Sequence, residues 1–308
     1  MEFRNRFLNK DRRRFMGDGS PHESAMQRVL SASHPPLPWT GTGQLPWHEQ
    51  EFSERMLAIH LDPETHMASR TPDVITKHLD WLSAQVHQRG GGGTHVLDVG
   101  CGPGLYCHQW AERGHLSTGF DFAPAPLAWA QKHNDEAGLK ARFFKSDLTN
   151  LPDNFEELAG KPDAITLWFG EFHSFQPAVA GKFLKRLANC LPKGGLFVLE
   201  YQPWDIFVHE DSNEWTPCAE SIFCDKPHLW LQEFAWNEEA AVEVHVHWII
   251  EQESGNLHRY EQCHQAWRED DLVATLAQAG LGDPVFYEPI TGVSEEFEFP
   301  MLVTKKLA

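Results

Sequence analysis

His-Val-Leu-Asp-Val-Gly-Cys-Gly-Pro-Gly, residues 95–104, is the stretch whose reading decides the fold. Val96, Leu97 and Val99 make a short apolar run of the kind that fills a buried parallel strand. Gly100, Gly102 and Gly104 follow at once, giving a turn in which positive φ is allowed and no Cβ holds a ligand away from the backbone. A helix over residues 105–113 would then point its N-terminal amides at that ligand.

Spacing separates three nucleotide-binding readings of such a turn. A phosphate-binding loop needs Lys followed by Ser or Thr after its last glycine, whereas Leu105 and Tyr106 stand there. The dinucleotide fingerprint would place glycines at 100, 102 and 105, and position 105 is Leu. What remains is acid-x-Gly-x-Gly-x-Gly, with Asp98 closing the strand. This pattern resembles the first motif of the class I S-adenosylmethionine-dependent methyltransferases.

Downstream residues support the resemblance. Residues 116–120 read as a second strand ending at Asp121, about twenty residues past the turn, where an acidic side chain reaches ribose hydroxyls in this architecture. Residues 142–146 read as a third strand ending at Asp147, the position at which the family touches the adenine amino group. Residues 164–169 read as a fourth, followed by Gly170-Glu171-Phe172-His173 where the family presents its methyl acceptor. Leu191-Pro192-Lys193-Gly194-Gly195 and residues 196–200 resemble the family's turn and fifth strand. The resemblance therefore implies S-adenosylmethionine as cofactor, with S-adenosylhomocysteine as product. It implies contacts from Asp98, Gly100, Gly102, Gly104 and Tyr106 at the turn, Asp121 and Phe122 after the second strand, and Asp147 and Leu148 after the third. Arg70 is expected to pair with the cofactor carboxylate by a bidentate contact.

The expected fold is α/β: a Rossmann-like, seven-stranded, mostly parallel sheet with helices on both faces, an N-terminal helical cap and an antiparallel insertion after the fifth strand. Residues 1–45, rich in Arg, Ser, Gly and Pro, read as a flexible tail. Residues 46–93 carry two helical periods and read as the cap; 94–202 and 262–308 read as the cofactor-binding domain. Residues 203–261 read as a three-stranded insertion over 229–236, 241–251 and 257–267, covering the acceptor site. Its aromatic residues Trp204, Trp215, Phe223, Trp230, Phe234, Trp236 and Trp248 either cover the acceptor pocket or form a second small core.

Composition narrows the acceptor. The formal net charge of −18 lacks the basic surplus that phosphate-backbone binding requires, so nucleic acid is not an expected partner. No apolar run reaches membrane-span length, so no membrane association is expected. Six cysteines without a Cys-x-x-Cys pair read as reduced thiols of a cytoplasmic protein. Arg12 to Arg14 are not followed by an apolar stretch, so export is not expected. A small-molecule acceptor methylated at O, N or C is the leading reading, and both monomer and homodimer stay open. A non-catalytic cofactor-binding or scaffold protein on the same fold is an alternative, since fold alone does not set function.

Methyl transfer from a sulfonium depends chiefly on alignment, with a base needed only where the acceptor must lose a proton. Glu171 and His173 are the candidate catalytic residues, placed where the acceptor side of the sheet is expected. His245 and His247 share a face of their strand by period-two alternation, with Cys263 and His264 on the next. A metal there would suit methylation at carbon beside the ketone of a 2-oxo acid, through enolate stabilisation. Cys263 and His264 point to opposite faces and no acidic ligand is fixed by the sequence, so no metal is expected.

Overall fold

A computed structural model describes residues 21–41, 43–87, 94–290 and 299–307. The elements follow in chain order as α1 (Pro21–Ser31), α2 (Gln50–His60), α3 (Pro72–His87), β1 (His95–Val99), α4 (Leu105–Glu112), β2 (Leu116–Asp121), α5 (Pro124–Glu136), β3 (Arg142–Lys145), α6 (Phe155–Ala159) and β4 (Ala164–Leu167). After them come α7 (Pro177–Cys190), β5 (Leu196–Glu200), β6 (Ser212–Cys218), β7 (His228–Asn237), β8 (Val242–Glu251), β9 (Leu257–Gln265), α8 (Glu269–Gln278), β10 (Val285–Tyr287) and β11 (Met301–Lys305).

The main sheet has seven strands in the order β10-β11-β5-β4-β1-β2-β3. β1 to β5 are parallel, and β11 runs antiparallel to both β5 and β10. Every residue of β4 and β5 is buried, as a sheet covered on both faces demands. Leu97, Ile165 and Phe197 face α6, α7 and α8, packing on Phe155, Leu184, Leu187 and Leu276. Val96, Ala164 and Val198 face the other way, onto Ile75, Leu79, Leu82 and Trp110. α3 is thus a covering helix of the sheet, and of the two helices expected to form a cap only α2 overlies the strand ends. The chain crosses from β3 back to β4 on the other side of β1, so β1 and β4 flank the switch point at which an open α/β sheet holds its ligand.

The insertion has four strands where three were expected, ordered β6-β7-β8-β9 and antiparallel throughout. β6 is the addition. Its Ser-Asn-Glu-Trp-Thr-Pro-Cys sequence lacks alternating hydrophobicity because it is an exposed edge, where a proline is tolerated. The two faces of this sheet do different work. Val242, Val244 and Val246 pack on Val29, Ala32 and Trp39. Ile249, Phe223, Trp230 and Tyr260 pack instead on Phe52, Met56 and Leu45 of the α2 region, bringing the sheet over the switch point.

The segment before α2 departs from the expectation of a tail over 1–45. Residues 1–20 and 42 lie outside the described residues, but 21–41 are folded onto the outer face of the antiparallel sheet. Gly41 N donates to Glu261 at 3.0 Å, Thr40 Oγ1 donates to the same carboxylate, and Trp39 N donates to Cys263 Sγ at 3.4 Å. The valines of β8 need an apolar cover, and the sparse apolar residues of this segment provide it.

Candidate active site

A cavity of about 360 Å³ opens at the C-terminal ends of β1, β2 and β4. Gly100, Gly102, Asp121, Phe122 and Leu148 form one side of its wall, and Glu171, Ser174, Gln202 and Phe169 belong to the segments after β4 and β5. α2 and the chain before it contribute Leu45, Trp47, Met56, Ile59 and His60, while Ile222, Gln262 and His264 come from the insertion. The cavity is therefore assembled from three parts of the chain, and none of them encloses it alone.

Asp121 stands at the point where the first two strands end. Its Oδ2 accepts from Gly102 N and its Oδ1 from Ala123 N, both at 2.8 Å, so it ties the glycine turn to the start of α5. Burial raises its carboxyl above the ordinary range, and the amides of Ala123, Gly102 and Phe122 oppose that rise. Two oxygens each holding one amide still have lone pairs to offer a ligand that enters the cavity. Gly102 has φ of +52°, and a Cβ built on it would lie 3.3 Å from the His60 ring, in the space between turn and cap.

Gly104 has a different task from the one the resemblance implied. It is absent from the cavity wall, and a Cβ on it would lie 2.5 Å from the Phe143 ring, so its glycine requirement comes from packing of α4 against β3. Asp98 and Tyr106 also lie away from the cavity. Asp98 accepts from Thr166 Oγ1 at 2.9 Å behind the turn, and burial pushes its carboxyl up to about 7. Tyr106 stacks on Trp168 with ring centroids 4.7 Å apart and its hydroxyl is 2.9 Å from His78 Nδ1. Asp147 is exposed and turned back on its own loop, accepting from Thr149 N at 2.8 Å and Thr149 Oγ1 at 2.7 Å. Its neighbour Leu148 reaches the wall instead.

Arg70 does not border the cavity either. Its guanidinium is buried against the Glu200 carboxylate and lies over the rings of Phe169 and Phe299. Glu200 also accepts from Phe169 N, so the pair fixes the path of the chain leaving β4. Arg70 therefore meets Glu200 through one guanidinium nitrogen, Nη2, while Nε and Nη1 are buried without a hydrogen-bond partner among the described residues, and it lies off the cavity wall where the expected cofactor clamp would stand.

The two candidate catalytic residues separate cleanly. Glu171 borders the cavity, and among the described residues nothing donates a hydrogen bond to its carboxylate. Burial, reinforced by the nearby charge of Asp121, pushes it up to about 8. His173 is fully committed elsewhere: its Nε2 accepts from Gln202 N at 2.9 Å, which leaves Nδ1 to donate to Gln265 O at 2.7 Å. Burial holds it down to about 4, so it is neutral and has no lone pair to offer an acceptor. It is a positioning residue that pins β9 to the Gln202 loop. His173 as a base is withdrawn on this geometry.

The sequence reading missed Trp47, His60, Trp168, Gln202 and Gln262 on the wall. His60 ends a helix and Gln202 follows a strand end, positions that gain meaning only once the sheet order is known. Of the seven insertion aromatics considered, none lines the cavity. Phe223 and Trp230 pack with each other and with His247 and Tyr260, while Trp204 and Trp236 meet edge to face. The second-core alternative holds for Phe223, Trp230 and Trp248, whereas Trp215 on the edge strand is exposed.

Comparison with known proteins agrees with this geometry. Residues 96–195 match a family model described as "Methyltransferase domain". A ubiquinone biosynthesis O-methyltransferase of Pseudomonas fluorescens is 31% identical over 137 residues, covering 41% of this chain and 57% of that protein. The chain thus spans little more than half the length of the curated relative it matches. A S-adenosylmethionine-dependent methyltransferase from Clostridium acetobutylicum superposes with a TM-score of 0.57 at 17% identity, over 76% of this chain and 92% of the other. CalS10, an amino pentose methyltransferase from Micromonospora echinaspora solved with its cofactor bound, gives 0.52 at 16% identity, over 75% and 91%. Those likenesses establish the fold. Residues 96–195 thus match a methyltransferase-domain model, and the strand order with its glycine turn leading into α4 is the fold shared with solved S-adenosylmethionine-dependent methyltransferases.

Proposed function

We propose that the protein transfers a methyl group from S-adenosylmethionine to an O, N or C atom of a small molecule. The observation that carries this reading is the cavity at the switch point, which joins Gly102 and Asp121 on one side to Glu171 on the other. Gly100, Gly102, Asp121, Phe122 and Leu148 would hold the cofactor, with Asp121 taking its ribose hydroxyls. S-adenosylmethionine supplies, when bound, a methyl group already activated by a positively charged sulfur. Two buried carboxyl groups held above their ordinary range, Glu171 partly by the charge of Asp121, suit such a site, because a nearby cation favours the ionised form of both.

On the acceptor side, Glu171 is the candidate base or cation holder, and His173 keeps the Gln202 loop in place. The apolar wall from Trp47, Met56, Ile59 and Ile222 would exclude water and orient a compact acceptor. The relatives' names concern ubiquinone biosynthesis and an amino pentose, which favours a metabolite over a macromolecule. The acidic net charge favours the same choice. All six cysteines are free, which supports a reducing, cytoplasmic setting; among the described residues no helix is long and apolar enough to cross a membrane.

The test is methyl-labelled cofactor incubated with the protein and a metabolite extract. Label should appear in a low-molecular-weight product with wild type, and Glu171→Gln should slow it by at least about a hundredfold, the lower end of general-base contributions. Label found only in nucleic acid or protein fractions, or nowhere, would overturn the small-molecule reading.

A further inference from the structure

The face of the antiparallel sheet that looks toward the cavity carries a cluster that neither cofactor nor base requires. Glu243 and His245 project from β8 on that face, and His264 projects from the position of β9 paired with Glu243. Glu243 Oε2 lies 3.2 Å from His245 Nε2 and 3.6 Å from His264 Nδ1. The three ligand atoms all fall within 4.8 Å of one another. Ligands bound at about 2.1 Å to one ion sit roughly 3.0 to 3.4 Å apart when adjacent in octahedral or tetrahedral geometry, so little movement would close the set on a cation.

Hydrogen bonding does not account for the arrangement. His245 Nε2 is buried yet makes no hydrogen bond of acceptable geometry, and 3.6 Å from His264 is too long for one. His247, the other half of the pair noted in the sequence, is not part of the group. Its Nδ1 accepts from Trp230 Nε1 at 3.2 Å, and its ring packs on Phe223.

We propose that Glu243, His245 and His264 bind a first-row divalent cation at the acceptor end of the cavity. Two imidazoles and one carboxylate are a donor set suited to such ions and leave coordination positions open. His264 and Gln262 both border the cavity, so those positions face the space where an acceptor would lie. The cation would then hold an acceptor through adjacent oxygens, as a catechol or a 2-oxo acid presents them. This second half rests on the methyl transfer proposed above; the metal site does not.

Cobalt(II) titrated into the full chain tests the site, with calorimetry and visible absorption as readouts. Wild type should take up one equivalent, and Glu243→Gln and His264→Ala should each weaken uptake at least tenfold. Glu243→Gln keeps the side-chain volume and carries the test should His264→Ala fail to fold. Uptake well below one equivalent, or variants that bind like wild type, would overturn the site. Adding a catechol, and separately a 2-oxo acid, to the cobalt-loaded protein should shift the visible bands with at least one of them. Bands unmoved by either would overturn the acceptor half. S-adenosylhomocysteine affinity is measured on the same samples and should be unchanged in both variants, so failure of the metal site and failure of cofactor binding are read separately.

Discussion

Glu171 and Arg70 show how burial assigns work to individual side chains. A carboxyl pushed up to about 8 is protonated at neutral pH and becomes a base only as the pH rises through that value. The same shift has a stability consequence. The folded pKa lies above the unfolded value of 4.5, so the native state binds the extra proton, and stability present at low pH is lost as pH rises from about 4.5 to about 8. Glu171→Gln, which removes the ionisation and keeps the shape, should therefore melt higher than wild type at pH 8 and converge with it toward pH 4.5. Equal melting temperatures across that range would show that Glu171 is not desolvated. Arg70→Met tests the buried pair from the other side. Leaving Glu200 buried without its partner should cost about 3 to 5 kcal/mol in denaturant unfolding. A loss below about 1 kcal/mol would mean that the guanidinium is free to turn toward a ligand. Glu171 borders the cavity, where a residue following a strand end was expected to lie. The sequence misled on His173 and Arg70 because their partners, Gln265 and Glu200, lie 92 and 130 residues away, beyond any local pattern.

At the scale of elements, the glycine turn looks uniform in sequence and is not uniform in space. Gly102 faces the cavity beside His60, whereas Gly104 is pressed against Phe143 inside the packing of α4 on β3. Gly102→Val should leave a folded protein that no longer binds S-adenosylhomocysteine, because the branched side chain enters the ligand space and meets the cap. Gly104→Val should lose several kcal/mol of stability first, since a ring in a packed core cannot retreat. Melting temperature and cofactor titration on the two variants separate these outcomes; a Gly104 variant as stable as wild type would refute the packing role. The parallel strands were legible because apolar runs stop at acidic or glycine positions with regular helical spacing between them. β6 was not, because an exposed edge strand keeps neither alternation nor apolar content, and its pairing with β7 is decided by backbone hydrogen bonds.

At the scale of the molecule, three stretches of the sequence converge on one space. The sheet supplies the glycine turn and the carboxyl groups, α2 supplies an apolar lid, and the antiparallel sheet closes the acceptor end with Gln262 and His264. Residues 21–41 hold that second sheet from behind, which explains why a stretch with tail-like composition is structured: its few apolar residues meet the valines of β8. A mostly parallel sheet could be anticipated from alternation, but the closure of the cavity could not, since it joins residues 44 to 299 through contacts without sequence periodicity. The central claim is that this space holds S-adenosylmethionine with Asp121 on its ribose. Calorimetric titration of S-adenosylhomocysteine into wild type and Asp121→Ala tests it most directly. One molecule should bind per chain, and the variant, still folded by circular dichroism, should bind about a hundredfold more weakly, as the loss of two charge-assisted hydrogen bonds requires. Undiminished affinity in the folded variant, or a wild type that takes NAD and ignores S-adenosylhomocysteine, would contradict the account.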